Sequence, residues 1–513
     1  MVGTEAATTS RSTPPAPVHE RTVLAATLVA AVLRFFRLGH QSLWIDEQFT
    51  LATAGLPGKL QWRELLENVH GPLHTLAVAL SAAIGGTGEF ALRLPSALAG
   101  LALVPVMAWL AGRLIGKNAV PAAAWLTAGS PFLAWYSQEC RNYAFVILAS
   151  AGATGLLFEL HNRCRPRDVV AYVLTALAGA LSNLSFALLA PLHLWLWLAP
   201  GPTRRARVIS LAVVTGVVVL AVLPWLPAIG GVWDWSRLSP GRSLDAGETA
   251  LRGETTAHPA AIPFAFHAML MGYTGGPSLA ELRKAPIPAL RAHLPEVAIA
   301  AVVFGVLLAW GLRGMARRGR LGLALQWLVA PALVVSYFAA HNFKVFHPRY
   351  LAVAMPCVLL ILAAAFTDLP PRVRRGFSVA VGLLWALALG RMAFDPAYAR
   401  EDYRGALARI REDIAPSERL LAVGAPEPVE WYGRGLPVAR WWLGFTADPQ
   451  RMVRTLGDSL DVAAGTWVVS SRTEDLDPEG RLARWLDARV PATDRWSVHG
   501  VSVWHWRRDA AAH

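Results

Sequence analysis

Lysine is nearly missing from this chain: Lys59, Lys117, Lys284 and Lys344 are the only four among 48 basic residues. Cysteine is scarcer still, with Cys140, Cys164 and Cys357 in three separate stretches. No disulfide framework and no cysteine-based metal spacing follows from that placement. Charge of either sign is thin, at 16% of residues against roughly a quarter in soluble globular proteins. With 54% hydrophobic residues and a mean hydropathy of +0.39, an ordinary soluble domain is excluded and an integral membrane protein is expected. The formal charge of +13 would suit a nucleic-acid partner. The arginines, however, sit mostly in short loops between apolar runs, where they set orientation in a bilayer. No nucleic acid is therefore expected. An internal repeat is also missing, which argues against the inverted-repeat transporters.

What is abundant is apolar sequence in lengths that span. Eleven runs approach the roughly 17–25 residues a crossing needs: 22–38, 94–112, 119–136, 142–160, 169–184, 186–200, 208–229, 295–312, 321–340, 349–367 and 376–393. The fold expected is an all-α polytopic membrane protein of about 11 transmembrane helices. Residues 1–20 read as a disordered cytoplasmic tail and 21–393 as the transmembrane domain. The pair 169–184 and 186–200 reads as a tight hairpin around Ser182-Asn183-Leu184-Ser185.

Basic clusters lie at Arg113/Lys117, Arg163/Arg165/Arg167, Arg204/Arg205/Arg207, Arg313/Arg317/Arg318/Arg320 and Arg372/Arg374/Arg375. Eleven spans with a cytoplasmic N-terminus put all five inside. A crossing at 72–86 would throw the later clusters outside, so that run is expected to lie in the outer interface. The first external loop then covers 39–93. Arg34 and Arg37 stand at the outer end of the first span, either reaching to headgroups or facing a lipid phosphate.

After the last span the character changes. Helical stretches at 403–413, 448–460 and 479–489 alternate with strand-like runs at 420–423, 466–469 and 496–507. A small extracytoplasmic α/β domain over 394–513 is expected. Trp431, Trp441, Trp442, Trp467, Trp485, Trp496, Trp504 and Trp506 crowd into it. They suit a core, a membrane interface or a sugar-stacking face.

In this topology the unusual polar residues gather outside. The first loop holds the adjacent acids Asp46 and Glu47, then His70 and His74. A turn carries Gln138-Glu139-Cys140-Arg141-Asn142-Tyr143. Another carries His341-Asn342-Phe343-Lys344-Val345-Phe346-His347-Pro348-Arg349-Tyr350. Acids from one segment and cations from two others suit transfer of a group from a lipid phosphate. That reaction needs one base for the acceptor hydroxyl and cations for the departing phosphate. A phosphate leaves without protonation, so one carboxylate suffices, whereas a glycosidase needs two. Neighbours on a helix point apart, so Asp46 and Glu47 divide roles. Arg141, Lys344, His347 and Arg349 suit phosphate, with Tyr350 and Arg34 beside them. His70, His74, Gln138, Glu139 and Tyr143 are the expected substrate contacts. The His70-x3-His74 spacing is compatible with metal, but Gly71-Pro72 interrupts the helix it would need, so no metal site is assigned and a divalent cation is left open.

Several segments carry a resemblance: Ser42-Leu-Trp-Ile-Asp46-Glu47, His70-Gly-Pro-Leu73, Glu89-Phe-Ala-Leu-Arg93-Leu-Pro, Ser130-Pro-Phe-Leu-Ala-Trp-Tyr136-Ser-Gln-Glu139-Cys-Arg141-Asn-Tyr143 and Pro348-Arg349-Tyr350. Together they resemble the GT-C superfamily of membrane glycosyltransferases. The nearest groups are the family-39 protein O-mannosyltransferases and the bacterial aminoarabinose (dolichyl-phosphate-mannose) transferase-like enzymes. The likeness is strong over roughly 34–160, thinner to 393 and only positional beyond. It implies an inverting transfer, at the outer face of the cytoplasmic membrane, from a polyprenyl-phosphate sugar to a lipid, protein or polysaccharide hydroxyl. Asp46 would be the base and Glu47 its neighbouring acid. This chain departs from the common His-Pro-Pro-Leu at Gly71 and has Cys140 where Ala is usual. A lipid-linked-sugar flippase, or a scaffold with a polysaccharide-binding tail, are the competing readings.

Overall fold

The computed structural model describes residues 17–232, 257–341, 343, 346–441, 449–460, 462–473, 477 and 479–507. Every one of the eleven apolar runs is largely helical. Among the described residues seven helical segments are long and apolar enough to cross a bilayer: Glu89–Leu114, Tyr143–Asn162, Arg204–Gly231, Leu294–Arg317, Leu321–Ala340, Pro348–Asp368 and Pro371–Phe394. At 1.5 Å per residue these match a hydrocarbon core of roughly 30 Å. The chain is a multi-pass membrane protein.

Burial sorts the spans. The Pro348–Asp368 segment has 89% of its apolar window covered by protein, and Arg204–Gly231 only 6%. The first is therefore a central helix and the second a peripheral one whose apolar side chains suit lipid tails.

The N-terminal half contains α1 (Pro17–Phe35), α2 (Ile45–Thr53), α3 (Trp62–Glu67), α4 (Leu73–Gly85), α5 (Glu89–Leu114), α6 (Val120–Gly129), α7 (Pro131–Ser137) and α8 (Tyr143–Asn162). Helix α4 has 13 residues, about 20 Å, too short to cross. The run expected as one span over 119–136 is broken into α6 and α7. Pro131 cannot donate a backbone hydrogen bond, and the residue before it is pushed out of the α region: Ser130 sits at φ −59°, ψ 119°. The break leaves carbonyls at the end of α6 without helical donors. Arg34 fills them, donating to Thr127 O at 3.0 Å and Ala128 O at 3.1 Å. This corrects the expectation for Arg34. It is fully buried as the cap of a broken helix and faces neither headgroups nor a phosphate site.

Beyond the last span, a five-stranded sheet is formed by β1 (Arg419–Val423), β2 (Val438–Trp441), β3 (Gly465–Ser470), β4 (Arg495–Val498) and β5 (Val501–Arg507). The order is β2-β1-β3-β5-β4. Strands β1, β2 and β3 are parallel, and β5 runs antiparallel to both β3 and β4. The single run expected over 496–507 is thus a hairpin, turning at Gly500 with φ +68°. Strand β2 escaped the sequence reading: it is short, and only Trp441 of its four residues is buried. Apolar clusters cover both faces, around Leu407, Val429 and Val503 on one side and Leu456, Leu486 and Trp504 on the other. Trp441, Trp467, Trp504 and Trp506 are buried in this small domain, which explains much of the tryptophan density. Trp442 lies outside the described residues.

This domain rests directly on the 39–93 segment. Tyr432 Oη accepts from Leu43 N at 2.7 Å and donates to Glu89 at 2.9 Å. Ser42 Oγ donates to Asp402 at 3.1 Å, and Arg404 pairs with Glu89 at 2.9 Å. The C-terminal domain and the Asp46-Glu47 segment therefore share one face of the molecule.

Candidate active site

Helix α2 starts at the two acids, and its first turn explains why they part. Glu47 sits at the third helical position, and its carboxylate reaches back to accept from Trp44 N at 3.3 Å. That turns Glu47 inward. Its carboxylate is fully buried and takes a paired contact from Arg93, Nε to Oε1 and Nη2 to Oε2, both at 2.8 Å. Cys140 N donates to it at 2.7 Å, and Arg400 Nη1 lies 3.2 Å away. Burial alone would push this carboxyl up, but Arg93 and Arg400 hold it at about 2. Every lone pair is occupied, so Glu47 is a hub joining α2, α5, the 138–142 turn and the C-terminal region. Glu47, expected as the acid beside Asp46 in the catalytic pair, does not line the cavity that Asp46 lines.

Asp46 points the other way, into a cavity of about 1080 Å³. Its carboxylate pairs with Arg349 Nη1, while Arg141 Nη1 donates to Asp46 O at 2.9 Å and to Thr50 Oγ1 at 3.1 Å. Burial raises the Asp46 carboxyl, yet Arg349, Arg141 and Arg472 outweigh it and keep the group below the ordinary aspartate value. Asp46 is ionised at neutral pH. The Nε–H groups of both Arg141 and Arg349 are buried and find no acceptor among the described residues. Two guanidinium donors therefore remain beside the carboxylate.

The rest of the cavity wall is mostly apolar, with Phe49, Leu188, Val334, Val335, Phe338 and Phe343 among its lining. Tyr143, Tyr350 and His70 line it too, as expected from the sequence. Asn183 and Ser185, which the sequence suggested only as a hairpin turn, also contribute.

Other expected site residues lie elsewhere. His74 is buried against Ser96 Oγ at 3.1 Å and the Phe145 ring, away from the cavity. Gln138 donates to Leu33 O and Phe36 O at 3.0 Å, capping the end of α1. His347 accepts from Arg349 N at 3.2 Å, and burial and Arg349 push its imidazole down to about 3. Its ring is neutral at neutral pH and caps the turn that begins at Pro348. Glu139 is buried, with its nearest cation, Arg400, at 3.9 Å. Burial and the charges of Glu47 and Asp46 raise its carboxyl to about 7. Lys344 lies outside the described residues. No group of three His, Cys, Asp or Glu side chains converges for a metal among the described residues. Gly71 has a steric reason: a Cβ there would fall 2.4 Å from the Leu181 backbone.

Residues 69–227 match the family model described as dolichyl-phosphate-mannose-protein mannosyltransferase. That segment includes the 138–143 turn but not Asp46 or Arg349. The structure is similar to ArnT from Cupriavidus metallidurans bound to undecaprenyl phosphate, at 14% identity and TM-score 0.56, over 97% of this chain and 98% of that one. The chain has the GT-C fold. A second GT-C structure, the archaeal oligosaccharyltransferase AglB from Archaeoglobus fulgidus with an inhibitory peptide and a dolichol-phosphate, matches at 15% identity and TM-score 0.55. That match covers 91% of this chain and 71% of AglB. No curated protein sequence matches the chain. The GT-C likeness to ArnT runs through the C-terminal region, since nearly the whole of both chains superposes.

Proposed function

We propose that this protein is an inverting glycosyltransferase that uses a polyprenyl-phosphate-linked sugar at the outer face of the cytoplasmic membrane. One observation carries the reading: Asp46, Arg141 and Arg349 line one large, mostly apolar cavity, and the Nε–H groups of both arginines have no acceptor among the described residues. The apolar wall suits a prenyl chain, and the arginines suit the phosphate it carries. ArnT, whose fold this chain shares, is a structure with undecaprenyl phosphate bound.

The chemistry follows from charge. The donor is a phosphodiester with one negative charge. As the acceptor oxygen attacks the anomeric carbon, the carbon–oxygen bond to phosphate breaks and a second charge develops on the phosphate. Arg141 and Arg349 stabilise it through donors already oriented and sheltered from water. Asp46 takes the proton that the acceptor hydroxyl releases. Donor phosphate also draws Arg349 away from Asp46, and the carboxylate becomes a stronger base when the substrate arrives. One displacement from the face opposite the phosphate inverts the anomeric centre.

The test is transfer by the purified full-length protein in nanodiscs, supplied with decaprenyl-phosphate-linked hexoses and pentoses. Asp46→Asn should abolish transfer while the protein remains monodisperse. Transfer at the wild-type rate in that variant would remove Asp46 as the base. In proteoliposomes, movement of the donor between leaflets without covalent transfer would replace the enzyme reading with a flippase.

A further inference from the structure

The C-terminal domain does more than cover the membrane part, because two of its arginines close on the residue that opens α2. Arg400 lies with its guanidinium carbon 5.8 Å from the Trp44 ring centre, and Arg472 lies 4.8 Å from it. Arg400 also reaches Glu47 at 3.2 Å and faces the Trp135 ring at 5.3 Å. Arg472 is tied to Glu401 at 2.5 Å. Its backbone has φ +52°, one of only two positive values at non-glycine positions among the described residues. Side chains rarely adopt that conformation, and here the Glu401 pair and the Trp44 contact hold it. Trp44 in turn is the cap of α2, two residues before Asp46.

We propose that Arg400 and Arg472 are positioning residues for Asp46, so that the C-terminal domain completes the active site by clamping Trp44. Arg400 fixes the inward side of the α2 turn through Glu47. Arg472 fixes Trp44 and adds positive charge on the Asp46 side. The groups that act on Asp46 are Arg349 and His347 at the start of the Pro348–Asp368 segment, Arg141 and Glu139 from the 138–142 turn, Tyr143 of α8, and Arg472. Arg472 is the cation in this set that the C-terminal domain supplies, and it can be removed without touching the cavity arginines.

This inference rests on Asp46 as the reacting carboxylate, and its test separates the two claims. The Asp46 carboxylate band, taken as wild type minus Asp46→Asn by infrared spectroscopy on the full-length protein in nanodiscs, gives the protonation midpoint of Asp46 without any substrate. Arg472→Gln should raise that midpoint by about 0.5–1 unit, and Arg472→Lys should restore it. Arg472→Met keeps the stem packed on Trp44 and should shift it in the same direction. With a donor that transfers, Arg472→Gln should lower kcat about tenfold and leave the donor KM within about twofold. An unchanged midpoint in both Arg472→Gln and Arg472→Met overturns the proposal. So does a loss of folded protein in both that is matched by Arg472→Lys, since the side chain would then be only structural. If no donor transfers, the enzymatic reading falls while the midpoint still decides whether the clamp acts on Asp46.

Discussion

The two sides of one helical turn differ more than any two distant parts of the molecule. Glu47 is sealed among Arg93, Arg400 and Cys140 N, with no solvent exposure. Asp46, one residue earlier, keeps 19% of its side chain exposed and pairs directly with Arg349 on the cavity wall. The same charge in adjacent positions is saturated by buried donors on one side and lines a cavity on the other. What separates them is which neighbours use up their lone pairs. A saturated carboxylate has nothing to offer a substrate, whereas one paired with a cation that the substrate can also bind can be released.

Substitutions on the two sides should therefore fail in different ways. The largest effect is expected for Asp46→Asn, a loss of about 10²–10⁴-fold in transfer, measured with a radiolabelled donor, with the melting temperature little changed. Glu47→Gln should do the reverse in kind. It leaves Arg93 buried without its counter-charge and should cost about 3–5 kcal/mol of stability, read as a fall in thermal midpoint in nanodiscs. Equal melting losses in both variants would erase the distinction between the two acids.

A smaller change is expected at Arg349→Ala. Losing a charge-assisted contact should weaken donor binding by about 10–100-fold, with the response to acceptor concentration intact. The subtlest prediction concerns pH. The Glu139 carboxyl moves up on folding, from an ordinary 4.5 to about 7. A raised value means that its contribution to stability is fully present below about 4.5 and lost as pH rises through about 7. Glu47 has the opposite sign: its contribution is present above 4.5 and lost as pH falls toward about 2. Glu139→Gln should accordingly flatten the melting temperature between about pH 4.5 and 7 and leave the acid side unchanged, as thermal unfolding across that range would reveal.

Much of this was legible in the chain. Apolar run lengths located the helices, because covering a bilayer core sets a minimum length that sequence shows directly. The motif turns named Asp46, Arg141, Arg349, Tyr143 and His70, all of which reach one cavity. Arg34 and His74 misled because an arginine or histidine near a helix end looks alike whether it meets a ligand or a carbonyl. The Ser130-Pro131 pair was the available signal for Arg34, since a proline that cannot donate predicts a carbonyl in need of a partner. Arg400 and Arg472 carried no such signal. Their roles come from contacts with residues more than 350 positions away in the chain.

The sequence by itself determined the membrane class, the helical runs and the residue types collected at one face, since each depends on local composition and periodicity. The tertiary structure decided which acid faces the cavity, which cations reach it, and that two arginines of the α/β domain contact Trp44 and Glu47. Those outcomes depend on which distant groups satisfy each buried charge, and local pattern holds no record of that.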